Sequence, residues 1–248
     1  MYKVCINGSS GKMGQSLSKL IITSDEFEYV SEDILHESDV VIDFSNPNST
    51  LSIVKKCVDH NVPLIIGTTG FKEDEIDEIQ KAGKKIPILL AANMSIGVTD
   101  LKGSIELFIK TLNQEMSCLI EETHHIEKLD EPSGTAIELR DLIKSIDIKN
   151  NIKTIKINST RKKDIFGIHK VTFFNESKTY YFMHEALSRE VFAQGALFSS
   201  KIIIKLKPSI YNFKDILNWT KSLKKAIFSI EYTNFKHEDS VFVKLGCL

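Results

Sequence analysis

The chain has 248 residues, 42% apolar and 26% charged, an ordinary globular composition long enough for one large domain or two modest ones. Lys and Arg total 32 against 33 Asp and Glu, and a net charge of -1 argues against a nucleic-acid partner. No apolar run approaches the ~20 residues of a membrane-spanning helix. Met1 to Asn7 turns into a glycine loop too soon for a signal peptide, so a cytoplasmic location away from any membrane is expected.

Chain order predicts a strand at Tyr2 to Ile6, glycines, then a helix from about Lys12 to Ile22. A short strand fits near Phe27 to Val30, and Val40 to Phe44 is a clear one. A helix over Ser49 to His60, a strand at Val62 to Ile66, a helix around Glu73 to Ala82 and a strand at Ile86 to Ala91 continue the alternation. Near-continuous apolar strands alternating with helices predict a parallel sheet covered on both faces. After Asn93 the pattern changes. A helix over Ile96 to Leu112 leads to a strand at Ser117 to Glu122, a polar loop and a helix over Gly134 to Ile146. Ile152 to Ile157, Ile168 to Phe174 and Lys178 to Met183 read as a mostly antiparallel sheet, and a helix over Arg189 to Ile204 returns the chain to the first domain. The expected fold class is α/β, two domains with a cleft between them. Beyond Leu217, Lys221 to Glu231 reads as a further helix or strand, and Val241 to Leu248 as an edge strand or loose tail.

Cys5, Cys57, Cys118 and Cys247 are scattered, with no CxxC pair and no histidine at ligand spacing. The first three sit among apolar neighbours, as buried free thiols in a reducing compartment do. No metal site is expected.

Gly8-Ser9-Ser10-Gly11-Lys12-Met13-Gly14 follows the first strand and opens the first helix. Glycines there permit a tight turn and close backbone approach to a pyrophosphate, while the helix N-terminus supplies N–H groups and partial positive charge. The spacing is GxxGxxG, and a ligand-free strand–turn–helix corner is the alternative. Three more segments lie at strand ends: Asp43 to Pro47, Gly67-Thr68-Thr69-Gly70-Phe71, and Ala91-Ala92-Asn93-Met94-Ser95. Ligands of open α/β sheets bind beyond the carboxyl ends of the strands, so these segments together favour a dinucleotide site.

Glu121 to Ala136 crowds His124, His125 and Lys128 after a strand, then places Pro132-Ser133-Gly134-Thr135 at a helix start. Ser133 is a natural N-cap, and the amides behind it suit an anion. His and Lys beside an anion cradle fit a carboxylate substrate that needs a proton. A solvated polar loop before a capped helix is the alternative.

The pattern E-x-x-H-H-x-x-K-x-D-x-P-S-G-T-A from Glu121 to Ala136 resembles the signature of the 4-hydroxy-tetrahydrodipicolinate reductase (dihydrodipicolinate reductase) family. The glycine loop, Asp43-Phe44-Ser45-x-Pro47, Gly67 to Phe71, Ala92-Asn93-Met94-Ser95-Ile96-Gly97 and Ser188-Arg189-x-x-Phe192-Ala193-x-Gly195-Ala196 resemble it in the same order, over about Tyr2 to Leu217. The resemblance implies a Rossmann-type dinucleotide-binding domain over 1–95 and 189–248. It implies a smaller α+β domain, with a mixed, mostly antiparallel sheet, for substrate and oligomerisation over 96–188. By the same resemblance, Gly8, Ser9, Ser10, Gly11, Lys12 and Met13 hold the cofactor pyrophosphate. Gly67, Thr68, Thr69 and Ala91, Ala92, Asn93, Met94 line the nicotinamide side. His124 matches the acid/base and Lys128 the proton donor. His125, Lys128, Ser133, Gly134 and Thr135 grip the substrate carboxylates, with Thr69 and Arg189 assisting. The implied reaction transfers hydride from NADH or NADPH to a dicarboxylate cyclic imine with loss of water, and the implied assembly is a homotetramer. Other cations are expected near Lys128.

The chain departs from the family in several places. No Lys or Arg lies between Lys19 and Lys55 to meet a 2′-phosphate, which leans towards NADH, with Glu28, Glu32 and Asp33 as candidate ribose contacts. Met94 stands where an aromatic is common and Glu185 where a base is common, and about thirty residues follow the usual end. Competing readings are another two-domain nicotinamide oxidoreductase of amino or keto acids, and a non-catalytic NAD(P)-binding sensor.

Overall fold

The computed structural model describes residues 1–226 and 239–244. The chain forms two compact units: Met1–Met94 with the chain from Phe192, and Ser95–Val191 with the last described strand.

In the first unit, strands β1 (Tyr2–Asn7), β2 (Phe27–Val30), β3 (Val40–Asp43), β4 (Leu64–Ile66), β5 (Pro87–Leu90) and β10 (Ser209–Tyr211) form one parallel sheet, ordered β10-β5-β4-β3-β1-β2. The strands are almost wholly apolar because helices cover both faces. Helices α1 (Lys12–Ile22), α2 (Pro47–His60) and α3 (Glu73–Gly83) bury Leu17, Ile21, Ile53, Val54, Cys57 and Ile79. Two boundaries differ from the periodicity. α2 starts at Pro47 because Asn46 caps it, accepting the Ser49 N–H, and proline suits the first helical turn. β4 starts at Leu64 because the Val62 N–H is spent on the Cys57 carbonyl, closing α2. β10, three residues long, carries too little alternation to be read from the sequence. α6 (Glu190–Ile203) and α7 (Phe213–Ala226) complete the described helices of the chain.

In the second unit, β6 (Met116–His124), β7 (Ile152–Arg161), β8 (Gly167–Phe174), β9 (Thr179–Ala186) and β11 (Asp239–Lys244) form a sheet ordered β11-β9-β8-β6-β7. Only β6 and β7 pair in parallel. The inward residues of β6 and β8 alternate with half-exposed ones, and α4 (Ile96–Thr111) and α5 (Gly134–Ile146) pack on the buried face around Leu101, Ile105, Leu139, Ile143 and Phe173. Val241 to Lys244 is an edge strand on β9, whereas residues 245–248 lie outside the described residues. The tail expectation at Lys221 to Glu231 resolves into the end of α7 up to Ala226, and 227–231 lie outside the described residues. Among the described residues no helix is long and apolar enough to cross a membrane.

Cys5, Cys57 and Cys118 are buried free thiols. Burial pushes the Cys118 thiol up to about 12 and, with Glu32 adding to it, Cys5 to about 11.

Candidate functional site

The first-unit site is built on the carboxyl ends of β1, β3 and β4. Gly8 turns the chain at φ +85, and a Cβ there would stand 2.5 Å from the Phe44 carbonyl oxygen. A Cβ on Gly14 would meet the Gly8 oxygen at 2.2 Å, so two glycines are required for the corner to close. The Gly11 N–H donates to the Gly8 carbonyl at 3.0 Å. Gly11 caps α1 without any side-chain hydrogen bond, and no acid sits in its first turn. By contrast α3 opens with Glu73, Asp74 and Glu75. The positive end of the α1 dipole thus has no acid in its own first turn and lies beside exposed Ser9, Ser10 and Lys12.

Behind this loop lies a polar hub absent from the sequence reading. Asp43, fully buried, accepts from Asn7 Nδ2 at 2.7 Å, Thr50 Oγ1 at 2.6 Å, Thr68 Oγ1 at 2.7 Å and the Ser45 hydroxyl. Thr68 Oγ1 also accepts the Ser45 N–H at 2.9 Å. The Thr68 side chain thus joins β3 to β4. A Cβ on Gly67 would strike the Phe44 ring at 2.1 Å. Thr69 and Ala92 are exposed, and Ala91 and Asn93 half-exposed. Met94 is 1% exposed, with its carbonyl where a Cβ on Gly195 would fall, so its side chain packs in the core.

At the end of β2, Glu28 lies within the strand, while Glu32 and Asp33 follow it. Lys56 of α2 sits 2.8 Å from Glu32. The cation missing from the local sequence is therefore supplied through space.

The second-unit site starts at the end of β6. His124 Nδ1 bonds to Glu122 Oε2, and Glu122 Oε1 accepts from Arg161 Nη1 at 2.9 Å and from the Ser133 N–H at 3.4 Å. Burial would raise the Glu122 carboxyl, but hydrogen bonds from Ser159, Arg161 and His124 outweigh it and hold the group below its ordinary range. Burial lowers the His124 imidazole, with Glu122 opposing that and the charges of Lys128 and Arg161 assisting it. Arg161 is a second residue the sequence reading missed. Its Nε and Nη2 donate to the Lys128 and Asp130 carbonyls at 3.3 and 2.6 Å, which anchors the loop between β6 and α5.

Ser133 caps α5, accepting the Ala136 N–H at 3.2 Å, and α5 has no acid in its first turn. Asp130 occupies the mouth of this helix end. Its Oδ1 lies 2.9 Å from Lys128 Nζ and its Oδ2 3.4 Å from the Gly134 N–H. Lys128 therefore pairs with an anion, and the Ser133 and Gly134 amides already have carboxylate partners. Asp130 is held below its ordinary range because the Lys128 ammonium and the amides outweigh the opposing burial. Beneath the cradle, His169 Nε2 lies 3.4 Å from Ser133 Oγ and its ring stacks edge-on to His124 at 5.0 Å. His184 Nε2 lies 3.2 Å from Ser95 Oγ, the N-cap of α4. Thr135 is buried, and His125 half-exposed. Arg189 lies over the Phe166 ring, 5.0 Å from its centre. Among the described residues no group of three or more His, Cys, Asp and Glu could hold a metal ion.

Residues 29–94 match the family described as dihydrodipicolinate reductase, N-terminus, and residues 97–217 match dihydrodipicolinate reductase, C-terminus. The 4-hydroxy-tetrahydrodipicolinate reductase of Alkaliphilus oremlandii is 33% identical over 237 residues, covering 86% of this chain and 97% of the relative. That of Pelagibacter ubique is 35% identical over 252 residues, covering 87% and 98%. A solved dipicolinate-bound dihydrodipicolinate reductase from Paenisporosarcina sp. TG-14 aligns over 86% of this chain and 97% of its own, with a TM-score of 0.68 at 21% identity. That last likeness speaks for the fold alone.

Proposed function

The chain belongs to the dihydrodipicolinate reductase family, and on that footing we propose that it reduces 4-hydroxy-tetrahydrodipicolinate to tetrahydrodipicolinate with NADH or NADPH, in the diaminopimelate route of lysine biosynthesis. Asp130 is the observation that carries the substrate site. One carboxylate of the chain itself bridges Lys128 Nζ and the Gly134 amide, so these groups converge on a carboxylate-sized target. A substrate carboxylate takes the place of Asp130 there, with Ser133, Gly134, Thr135 and His125 completing the grip, and with Thr69 and Arg189 assigned to assist. The α5 dipole and Lys128 favour an anion at that point.

When bound, the dihydronicotinamide supplies a hydride to the substrate ring. The chain supplies the accompanying proton and handles the loss of water: Lys128 donates, and His124 acts as acid/base through Nε2. Gly167 leaves that nitrogen room, since a Cβ there would stand 3.2 Å from it. Gly8, Ser9, Ser10, Gly11, Lys12 and Met13 hold the pyrophosphate at the start of α1, and Gly67, Thr68, Thr69, Ala91, Ala92, Asn93 and Met94 line the nicotinamide side.

For cofactor choice, Glu32 past the end of β2 suits ribose hydroxyls and repels a 2′-phosphate, and it holds Lys56, the nearby cation, in an ion pair. We assign NADH as preferred. The half-buried outward residues Tyr181, Met183 and Ile168 of the second sheet support assembly into a homotetramer through that sheet. Reduced thiols and this chemistry fit the cytoplasm.

The test is oxidation of NADH and NADPH by freshly generated 4-hydroxy-tetrahydrodipicolinate, with wild type, His124→Gln and Lys128→Ala. Turnover in wild type with a loss of about 10²–10⁴-fold in each variant supports the assignment. A folded wild type that binds NADH but does not turn over the substrate overturns it.

A further inference from the structure

Glu122 touches three parts of the site at once. Its Oε2 meets His124 Nδ1, while its Oε1 receives Arg161 Nη1 at 2.9 Å and the Ser133 N–H at 3.4 Å. Its side chain has no solvent exposure, and that of Arg161 has 15%. A carboxylate has lone pairs but no hydrogen to give, so the His124 nitrogen facing it must carry the proton. Nε2 is then the lone-pair nitrogen, on the side kept open by Gly167. The same arrangement follows from topology. Glu122 and His124 point to one face of β6, and Arg161 pairs with His124 across the parallel β6–β7 register.

We infer that Glu122 is a positioning residue: it fixes His124 as the Nδ1–H tautomer and, with Arg161, locks that ring in register with the loop carrying Lys128 and the cap carrying the anion cradle. The inference rests on the acid/base reading of His124. Arg161 has two parts in it. Its guanidinium balances the Glu122 charge, so the carboxylate does not oppose a dianionic substrate. Its bonds to the Lys128 and Asp130 carbonyls hold the proton donor's loop at a set distance from His124. The titratable and charged groups around the imidazole come from each packed element: Glu122 on β6, Lys128 on the loop, Arg161 on β7 and His169 on β8.

The decisive variant is Glu122→Gln. A glutamine has one oxygen, and Arg161, a pure donor, claims it. The amide nitrogen then faces His124 Nδ1 and donates to it, which moves the imidazole proton to Nε2. The full-length protein is labelled with 15N-histidine, and His124 resonances are assigned by their loss in His124→Gln. Wild type is expected to show protonated Nδ1 and bare Nε2, and Glu122→Gln the reverse. kcat falls by about 10²-fold or more in Glu122→Gln, while NADH affinity by fluorescence titration stays within about twofold. Arg161→Gln, which keeps Glu122, is expected to retain the wild-type tautomer and to raise KM by a larger factor than it lowers kcat. A wild-type His124 protonated on Nε2 overturns the inference, even if no Glu122 variant folds. So does a Glu122→Gln enzyme with unchanged tautomer and kcat. Full activity in His124→Gln, by contrast, overturns the underlying acid/base reading and leaves the tautomer result standing.

Discussion

Ser133 Oγ accepts the Ala136 N–H at 3.2 Å and lies 3.4 Å from Nε2 of His169, so one hydroxyl joins the cap of α5 to a fully buried imidazole. Burial holds His169 well below its ordinary pKa, and the neighbouring charges of His124, His184, Lys128 and Lys102 push the same way. A folded-state pKa lowered in this sense means the unfolded chain binds the proton first. Stability is therefore full above the unfolded value of about 6.5 and is lost as pH falls below it, at up to about 1.4 kcal/mol per pH unit. Urea unfolding between pH 7.5 and 5.5 should show stability falling towards low pH in wild type, with His169 and His124 both contributing, and a shallower slope in His169→Gln. Identical slopes would contradict the account.

Asp130 stands where a substrate carboxylate is proposed to sit, so it competes with the substrate. Asp130→Asn removes the competing charge while preserving shape. KM for the cyclic imine should fall several-fold, roughly as the free subsite becomes more populated, with kcat little changed. A raised KM would instead make Asp130 a holder of Lys128.

The tightness of the Gly8–Gly14 corner predicts a separable effect on cofactor binding. A methyl group at Gly14 meets the Gly8 oxygen at 2.2 Å, and overpacking of this kind costs about 1–3 kcal/mol. Gly14→Ala should weaken NADH by about tenfold or more in fluorescence titration, because the turn that presents the α1 amides must shift. Circular dichroism should be unaltered.

Asp43 is expected to matter more for stability than its place at a strand end suggests. Asp43→Asn replaces one acceptor oxygen among four donors with an NH2 group, and a buried donor left facing another donor costs about 1–3 kcal/mol. The urea midpoint should drop accordingly, and Thr68→Val should produce part of the same loss. No change in either would show that water replaces the lost acceptor.

The parts of this protein legible in its sequence are those encoded locally. Apolar runs gave β1, β3 and β5, the glycine corner followed β1, and Ser133 announced a helix start three residues before Ala136. What escaped depends on partners far apart in the chain. Arg161 reaches Glu122 only through the parallel pairing of β6 with β7, and no local pattern reports that register. Lys56 lies one turn from the end of α2 and meets Glu32 only after α2 folds back. Asp43 read only as part of a strand-end segment because its donors Asn7, Thr50 and Thr68 lie far apart in the chain. Thr68 and Met94 carried motif resemblance, and the hydrogen bonding of the one side chain and the packing of the other are details that no motif reports.

The interleaving of the two units has a consequence for synthesis on the ribosome. β6, β8 and β9 pair in succession within residues 116–186, so most of the second sheet can form from a continuous stretch. The first sheet cannot finish so early, because the strand that covers β5 is β10 at Ser209–Tyr211. Until that segment emerges, β5 presents an unpaired parallel edge next to a chain still being made, and such an edge invites pairing with other nascent chains. Each unit is thus closed by a segment made late: β10 completes the edge beyond β5, and β11, later still, adds the edge strand beyond β9.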